Sequence, residues 1–116
     1  MYIRDMLAES MQENLGIVRS SEKLAKGLDD VSFYLSVADK IHYDSSELAY
    51  FGYSLPGILT LAKATLICAK SRQESRGAHY RSDFPDTKEE YKAATIISYD
   101  DGKYRTYLDT EGKYEN

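Results

Sequence analysis

The apolar pattern of residues 24–38 constrains the fold more than any other feature of this sequence. The apolar side chains there recur at steps of four, three, four and three residues: Leu24, Leu28, Val31, Leu35 and Ala38. This spacing places them on one stripe of an α-helix that packs lengthwise against other helices. Ser20 and Ser21 supply hydroxyl caps ahead of the stripe, and Glu22 places an acid in the first turn. We therefore predict a helix from about Ser20 to about Ile41.

A shorter stripe lies near the start of the chain. Its apolar residues are Ile3, Met6, Leu7 and Met11. Their spacing places them on one helical face, and Gly16 follows as a residue that ends or weakens helices. We predict a first helix over about residues 2–15.

A capping pattern predicts the start of a third helix. Asp44 is followed three residues later by the acid Glu47, which is a variant of the capping box. A long, largely apolar stretch follows this cap. The helix should therefore extend from about Ser45 to about Ser75.

The third helix contains a proline, Pro56, followed by Gly57. Proline inside a helix removes one backbone hydrogen bond and crowds the preceding turn, so we expect a kink or break near Leu55. Apolar residues after this point occupy more than one helical face: Ile58, Leu59, Leu61, Leu66 and Ile67. Such breadth predicts an apolar patch that the chain itself leaves uncovered.

The sequence changes character after Gly77. Two runs rich in β-branched and aromatic residues, at 94–99 and 103–108, flank Asp100-Asp101-Gly102. Runs of this type around a D-G turn predict a β-hairpin. A two-stranded hairpin is marginal in water, so this one must pack on something else.

These elements predict a mainly α fold. Short connections favour a three-helix up-down-up bundle, similar to a spectrin repeat, followed by a C-terminal β-hairpin. We assign residues 1–79 to the bundle and residues 80–116 to a loop and hairpin extension of the same domain. A chain of 116 residues is too short for a dinucleotide-binding domain together with a substrate domain.

Composition and charge argue against several classes of function. The net charge of −4 comes from interspersed signs, whereas binding of nucleic acid requires clustered Lys and Arg. A single cysteine, Cys68, permits neither an intrachain disulfide nor a zinc cluster. The N-terminal segment lacks the apolar core of a signal peptide, and no stretch approaches the length of a membrane span. These features predict a cytoplasmic protein. Attachment to a membrane face through partner subunits remains an open alternative.

The densest polar cluster lies at residues 73–85, where the third helix is expected to end. Gly77 suits the left-handed turn that closes many helices, and Arg76 suits the negative end of the helix dipole. This interpretation does not explain why a histidine, two arginines and an acid crowd one short segment.

The same cluster carries a family resemblance in the run Glu74-Ser75-Arg76-Gly77-Ala78-His79-x-Arg81-x-Asp83-Phe84-Pro85. This run resembles a segment near the C-terminus of the flavoprotein subunits of succinate dehydrogenase and fumarate reductase, and L-aspartate oxidase has a similar S-R-G-x-H stretch. Residues 11–14 and 16–19 resemble the family's first C-terminal helix. Residues 92–108 resemble the strand pair that follows in the dehydrogenase and reductase branch, which L-aspartate oxidases usually lack.

The resemblance implies a parent enzyme that holds FAD in an N-terminal Rossmann-like domain and exchanges hydride between the flavin and a dicarboxylate. This chain contains no Gly-rich dinucleotide fingerprint, so we assign it no catalytic, cofactor-binding or metal-ligating residue. In the family, the helical domain leans on the flavin-binding domain. We therefore predict an interdomain docking surface that includes Ser75, Arg76, His79 and Arg81.

The resemblance also implies partners, namely an iron–sulfur subunit and the flavin-binding domain that belongs to the same subunit. Without them the chain is expected to be inactive and able to self-associate. Two other readings remain open. One is a free-standing helical interaction module that pairs with a separate flavin-binding chain. The other is a self-associating helical protein with no link to redox chemistry.

Overall fold

A computed structural model of the chain describes residues 2–38 and 46–110. Its elements are α1 (Tyr2–Asn14), α2 (Ser21–Ala38), α3 (Ser46–Ser71), a single 3₁₀ turn (Glu89–Tyr91), β1 (Thr95–Asp100) and β2 (Lys103–Leu108). The predicted fold class is confirmed, because three helices are followed by an antiparallel hairpin. The predicted end of the second helix near Ile41 and the cap at Asp44 lie outside the described residues.

The hydrophobic core forms along α2, which packs against both α1 and α3. Leu24 and Val31 of α2 are fully buried, and they belong to one cluster with Leu59 and Leu66 of α3 and Leu7 of α1. Burying a leucine side chain contributes about 1.5–3 kcal/mol, so this cluster stabilises the helical part. The predicted stripe on α2 is thus the seam of the bundle.

The start of α2 agrees with the predicted capping pattern. The Ser20 hydroxyl accepts a hydrogen bond from the Lys23 backbone N–H at 3.3 Å, which is the bond expected of an N-cap. The Ser21 N–H and hydroxyl both donate to the carboxylate of Asp83, at 3.0 and 2.6 Å. A residue far along the chain therefore completes this helix start.

The helix α3 departs from its prediction in two respects. It continues through Pro56 as one element, so of the predicted kink or break the break does not occur. Leu55 and Leu59 on either side of the proline are fully buried, and this packing outweighs the hydrogen bond that proline removes. The helix also ends at Ser71 rather than near Ser75, where its last carbonyl groups accept hydrogen bonds from a distant side chain, Arg81.

The predicted hairpin is confirmed. Asp100 pairs with Lys103, and the turn residues Asp101 and Gly102 both have positive φ angles, of 53° and 77°. That pair of angles is typical of the two-residue turn whose twist matches a hairpin. One face contacts α3, where the Lys63 ammonium lies 5.3 Å from the centre of the Tyr104 ring.

An apolar groove remains open between α1 and α3, because these two helices touch only slightly. Its volume is about 410 Å³, and its apolar lining includes Leu7, Ala8, Met11, Ile58, Leu61 and Ala62. Leu61 is 69 % exposed. The predicted uncovered patch is therefore present on α3. None of the described helices combines the length and the apolar character that crossing a bilayer requires.

Candidate docking site

Residues 74–85, here called the motif segment, lie between the C-terminal end of α3 and the N-terminal end of α2. The backbone of the segment pairs with the connection between α1 and α2: the Arg19 N–H donates to the Tyr80 carbonyl at 2.8 Å, and the Ser82 N–H donates to the Arg19 carbonyl at 2.7 Å. These bonds tie the motif segment to a connection that lies about sixty residues earlier in the sequence.

Arg81 is the central side chain of this segment and is fully buried. Its Nη1 atom donates to the Lys70 carbonyl at 2.8 Å, and its Nη2 atom donates to the Ser21 hydroxyl at 2.6 Å. The guanidinium therefore caps the end of α3, where a cation is favoured by the helix dipole. The sequence predicts Arg76 in this role; the structure assigns it to Arg81.

Asp83 caps the opposite helix end. Its carboxylate accepts from Arg81 Nε at 3.1 Å and Nη2 at 2.9 Å, in addition to the two bonds from Ser21. The hydrogen bonds from Arg81 lower the pKa of Asp83 well below its usual range, and burial opposes them only in part. An anion is thereby held at the N-terminus of α2, where the dipole stabilises negative charge.

Ser75 and Gly77 shape the backbone of the motif segment. The buried Ser75 hydroxyl accepts from the Arg81 N–H at 2.9 Å and donates to the Phe84 carbonyl at 2.8 Å. Arg76 and His79 exchange backbone hydrogen bonds of 2.8 and 2.9 Å across a turn. Gly77 has a φ of +56° within this turn, so it does not close the third helix as predicted.

Glu74 is a buried carboxylate held by two arginines. It accepts hydrogen bonds from Arg72 Nη1, from Arg76 Nε at 3.0 Å and from the Lys88 N–H at 2.9 Å. Burial alone would raise its pKa, but these bonds outweigh burial and lower the pKa. The ionised carboxylate therefore fixes the orientation of both guanidinium groups.

His79 is fixed in one tautomer by its neighbours. Arg19 Nη1 lies 2.8 Å from the imidazole Nδ1, and since a guanidinium can only donate, Nδ1 is the acceptor. The proton must then reside on Nε2, which donates to the Arg72 carbonyl at 3.1 Å. Burial is the largest influence on the pKa of His79 and lowers it. The hydrogen bond to the Arg72 carbonyl raises this pKa, whereas the positive charges of Arg19, Arg81 and Arg72 lower it further. The ring is neutral.

A cationic groove of about 570 Å³ opens on one side of this network, lined by Arg72, Arg76, His79, Lys92 and Ala93. Two of the four predicted docking residues, Arg76 and His79, line it. Ser75 and Arg81 lie inside the chain and hold the turn that presents the other two. The structure thus brings all four together, two at the surface and two beneath it.

Three side chains outside the motif segment form hydrogen bonds with side chains inside it, and none of the three was predicted as part of the site. They are Arg19, Ser21 and Arg72. Arg72 directly precedes the polar run in sequence, so its proximity was a signal for including it. Arg19 and Ser21 are remote in sequence, and only the resemblance of residues 16–19 to the family pointed to that connection.

Neither Ser75 nor Cys68 is placed as an activated nucleophile. The Ser75 hydroxyl bonds backbone groups and not the His79 ring, so it is not activated as a nucleophile. Burial raises the pKa of the Cys68 thiol, which disfavours the reactive thiolate. Within residues 2–38 and 46–110, no three His, Cys, Asp or Glu side chains come together as metal ligands would.

A family model described as the C-terminal part of fumarate reductase flavoproteins matches residues 4–112. One chain of the CoM/CoB fumarate reductase of Methanothermobacter marburgensis is 35 % identical over 103 residues, covering 83 % of this chain and 18 % of the relative. An L-aspartate oxidase of Pyrococcus furiosus is 34 % identical over 93 residues, covering 80 % of the chain and 16 % of the relative.

Solved structures share the fold. The FrdA chain of the E. coli quinol fumarate reductase superposes with a TM-score of 0.85 at 24 % identity, covering 92 % of this chain and 20 % of that one. A chain of the Mycobacterium smegmatis Sdh1 complex superposes with a TM-score of 0.72 at 20 % identity, over 92 % of this chain and 19 % of its own length. The present chain spans less than a fifth of the length of the two curated relatives described above.

Proposed function

The chain belongs to the family of C-terminal domains of fumarate reductase flavoproteins, and from that membership we propose that it is a structural and docking part of an FAD-dependent dicarboxylate oxidoreductase. The match over residues 4–112 carries this proposal. Flavin binding and hydride exchange belong to the remainder of the parent enzyme. The chain alone turns over no substrate.

The docking surface centres on Arg76 and His79. Their side chains line the cationic groove, while Ser75 and Arg81 hold the backbone turn between them from below. The flavin-binding domain of the same subunit binds to this surface. An iron–sulfur subunit exchanges electrons with the parent enzyme. A rigid, hydrogen-bonded turn supports this assignment, because a preordered surface loses little conformational entropy on docking.

Association with a flavin-binding fragment tests the proposal. We would produce that fragment from the same organism, load it with FAD and mix it with this chain, measuring complex formation by size exclusion and calorimetry. Docking predicts a complex with improved flavin retention, weakened by Arg76→Ala. Failure of the two parts to associate, with flavin retention unchanged, would overturn the docking role.

A second candidate is a free-standing helical interaction module. The open groove between α1 and α3 favours it, since Leu61 is 69 % exposed beside other apolar groups. A stable self-dimer in the same size-exclusion experiment, without any complex with the flavin-binding fragment, would favour this reading. Leu61→Ser should then shift the dimer to monomer.

A further inference from the structure

We propose that the cationic groove receives one carboxylate group, from an aspartate or glutamate side chain of the flavin-binding partner. The inference rests on the proposed docking function and names the chemistry of the contact. Three observations support it. The groove is positively charged, it contains hydrogen-bond donors that remain available, and existing hydrogen bonds hold the Arg76 guanidinium in a fixed orientation.

The charge of the groove is opposite to that of the chain. Three cations line or border it, Arg72, Arg76 and Lys92, and the imidazole of His79 is neutral. The buried carboxylate of Glu74 balances one of these charges, which leaves an excess of two positive charges. The whole chain carries −4. The groove is therefore a local positive site that favours an anion.

Lys92 also has an acidic neighbour, but this pairing is weak. Its Nζ atom lies 3.9 Å from the Glu89 carboxylate, and the side chains are 71 % and 88 % exposed. Exposed pairs of this kind contribute little because water screens them. The Lys92 ammonium is thus able to turn toward a group that enters the groove.

Four of the five N–H donors of Arg72 are already used inside the chain. Its Nε atom donates to the Thr95 hydroxyl at 3.1 Å, and its two Nη atoms donate to Glu74 and to the carbonyls of Tyr91 and Ala93. Arg72 therefore contributes charge and shape to the groove, and only one of its five N–H groups, on Nη2, is not used by these bonds.

Arg76 has more donors available, because its side chain makes only two such bonds. Its Nε atom donates to Glu74 at 3.0 Å and its Nη2 atom to the Lys88 carbonyl at 2.9 Å, while its Nη1 atom has no hydrogen-bond partner within residues 2–38 and 46–110. The two bonds fix the plane of the guanidinium, and 36 % of the side chain remains exposed. The remaining nitrogen is therefore preordered for an incoming oxygen.

Two available donor groups, Arg76 Nη1 and Lys92 Nζ, belong to residues that line the same groove, so we expect a single carboxylate to accept from both. The neutral His79 ring forms part of the groove wall and adds no charge. It offers no free nitrogen to a ligand, because both ring nitrogens already form hydrogen bonds. A side-chain carboxylate on the docking partner thus gains charge-assisted hydrogen bonds and neutralises part of the excess charge.

The first test uses the chain alone with acetate as the probe. Sodium acetate replaces sodium chloride at constant ionic strength, and NMR follows the Arg76 side-chain N–H and the backbone amides near residues 76 and 92. We expect saturable shifts that are lost in Arg76→Gln and weakened roughly two- to fivefold in Lys92→Gln. Lys103→Gln, an exposed lysine of the hairpin, is the matched control and should bind acetate as the unchanged chain does.

Two results of this titration would overturn the inference. One is the absence of saturable shifts, or shifts of equal size in the unchanged chain and in both groove variants. The other is a clear preference for inorganic phosphate over acetate, which would mean that the groove binds a phosphate group and not a carboxylate. Lys92→Gln keeps the test decisive if Arg76→Gln does not fold, because Lys92 is exposed and has only the weak pairing with Glu89.

The second test measures the complex with the flavin-binding fragment as a function of salt. Both groove variants should bind more weakly and lose part of the salt dependence, whereas Lys103→Gln should not. A complex whose salt dependence is the same in all variants overturns the carboxylate contact and leaves docking intact. Acetate binding without any complex overturns the docking function and the assigned source of the carboxylate.

Discussion

At the scale of single residues, Arg81 places one buried guanidinium between two helix ends. It donates to carbonyls at the end of α3, to the Ser21 hydroxyl at the start of α2, and to the Asp83 carboxylate. A planar group with several fixed donors can satisfy all of these at once, whereas the ammonium of lysine cannot. The charge of this residue is therefore less important than its geometry.

We predict that Arg81→Lys destabilises the fold by about 2–4 kcal/mol, because carbonyl groups at the end of α3 and the Asp83 carboxylate lose their hydrogen bonds to a buried guanidinium. Chemical denaturation measures this change. Arg105→Lys is the matched control, since Arg105 lies exposed on β2, and it should change the free energy of unfolding by less than about 0.5 kcal/mol. Equal midpoints for the two variants would contradict the role assigned to Arg81.

The neutral state of His79 makes stability depend on pH. Its pKa in the folded chain is lowered from 6.5, chiefly by burial, so the unfolded chain binds a proton more readily. Its contribution to stability is therefore complete above about pH 6.5 and declines as the pH falls toward the lowered value. Glu74 and Asp83, whose pKa values are also lowered, add a further loss below about pH 4.5.

We predict that His79→Gln flattens the pH dependence of unfolding between about pH 6.5 and 5, because glutamine can accept from Arg19 and donate to the Arg72 carbonyl without titrating. Denaturation midpoints measured across this range give the slope. His42→Gln is the control for the second histidine of the chain. A slope in His79→Gln that equals the unchanged chain's would refute the prediction.

At the scale of elements, sequence patterns predict the helices and turns whose formation depends on neighbouring residues. The stripe from Leu24 to Ala38 and the turn at Asp101 and Gly102 fix their elements through spacing and backbone angles of neighbouring residues. The end of α3 lies four residues before its predicted position because it depends on Arg81, which returns to the helix through a folded loop. Sequence spacing carries no information on such a distant contact.

The candidate site shows the same limit. The motif segment is recognisable in the sequence as a polar cluster, but its pairing with Arg19 and Ser21 connects residues about sixty positions apart. The burial of Ser75 and Arg81, which separates them from the surface pair Arg76 and His79, also follows from tertiary packing. Residue types alone could not distinguish the supporting side chains from the exposed ones.

Helix packing supplies a prediction with an internal control. A Cβ atom at Gly27 of α2 would lie 3.0 Å from Leu66 and 3.1 Å from the Asn14 side chain, whereas at Gly57 of α3 it would meet nothing within 4 Å. Alanine favours helices over glycine by about 1 kcal/mol, and crowding a packed core costs about 1–3 kcal/mol. We predict that Gly57→Ala stabilises the chain and Gly27→Ala destabilises it.

Thermal unfolding of the two variants measures these changes. Their melting temperatures should move in opposite directions from that of the unchanged chain. An increase for Gly27→Ala as large as that for Gly57→Ala would mean that α1, α2 and α3 do not approach as closely as the structure shows. The pair therefore reports on helix contact and not on helix propensity, which both changes share.

At the scale of the whole molecule, the hairpin depends on the end of α3 for its attachment. Arg72 donates to the Thr95 hydroxyl on β1 and to the carbonyls of Tyr91 and Ala93, which lead into that strand. A two-stranded hairpin is marginal by itself, so these bonds and the contact with α3 must hold it. They are the physical basis for the prediction that residues 80–116 extend the domain formed by residues 1–79.

We predict that Arg72→Gln increases hydrogen exchange of the β1 and β2 amides at least about tenfold, because three bonds worth about 0.5–1.5 kcal/mol each are lost. Amides in the buried part of α2 should change less, since Arg72 does not contact them. Lys63→Gln is the control, because it removes only the contact over the Tyr104 ring. Equal hairpin exchange in both variants would contradict the anchoring role. Hairpin amides that exchange in the unchanged chain as fast as in a free peptide would show that residues 80–116 are not part of the same domain.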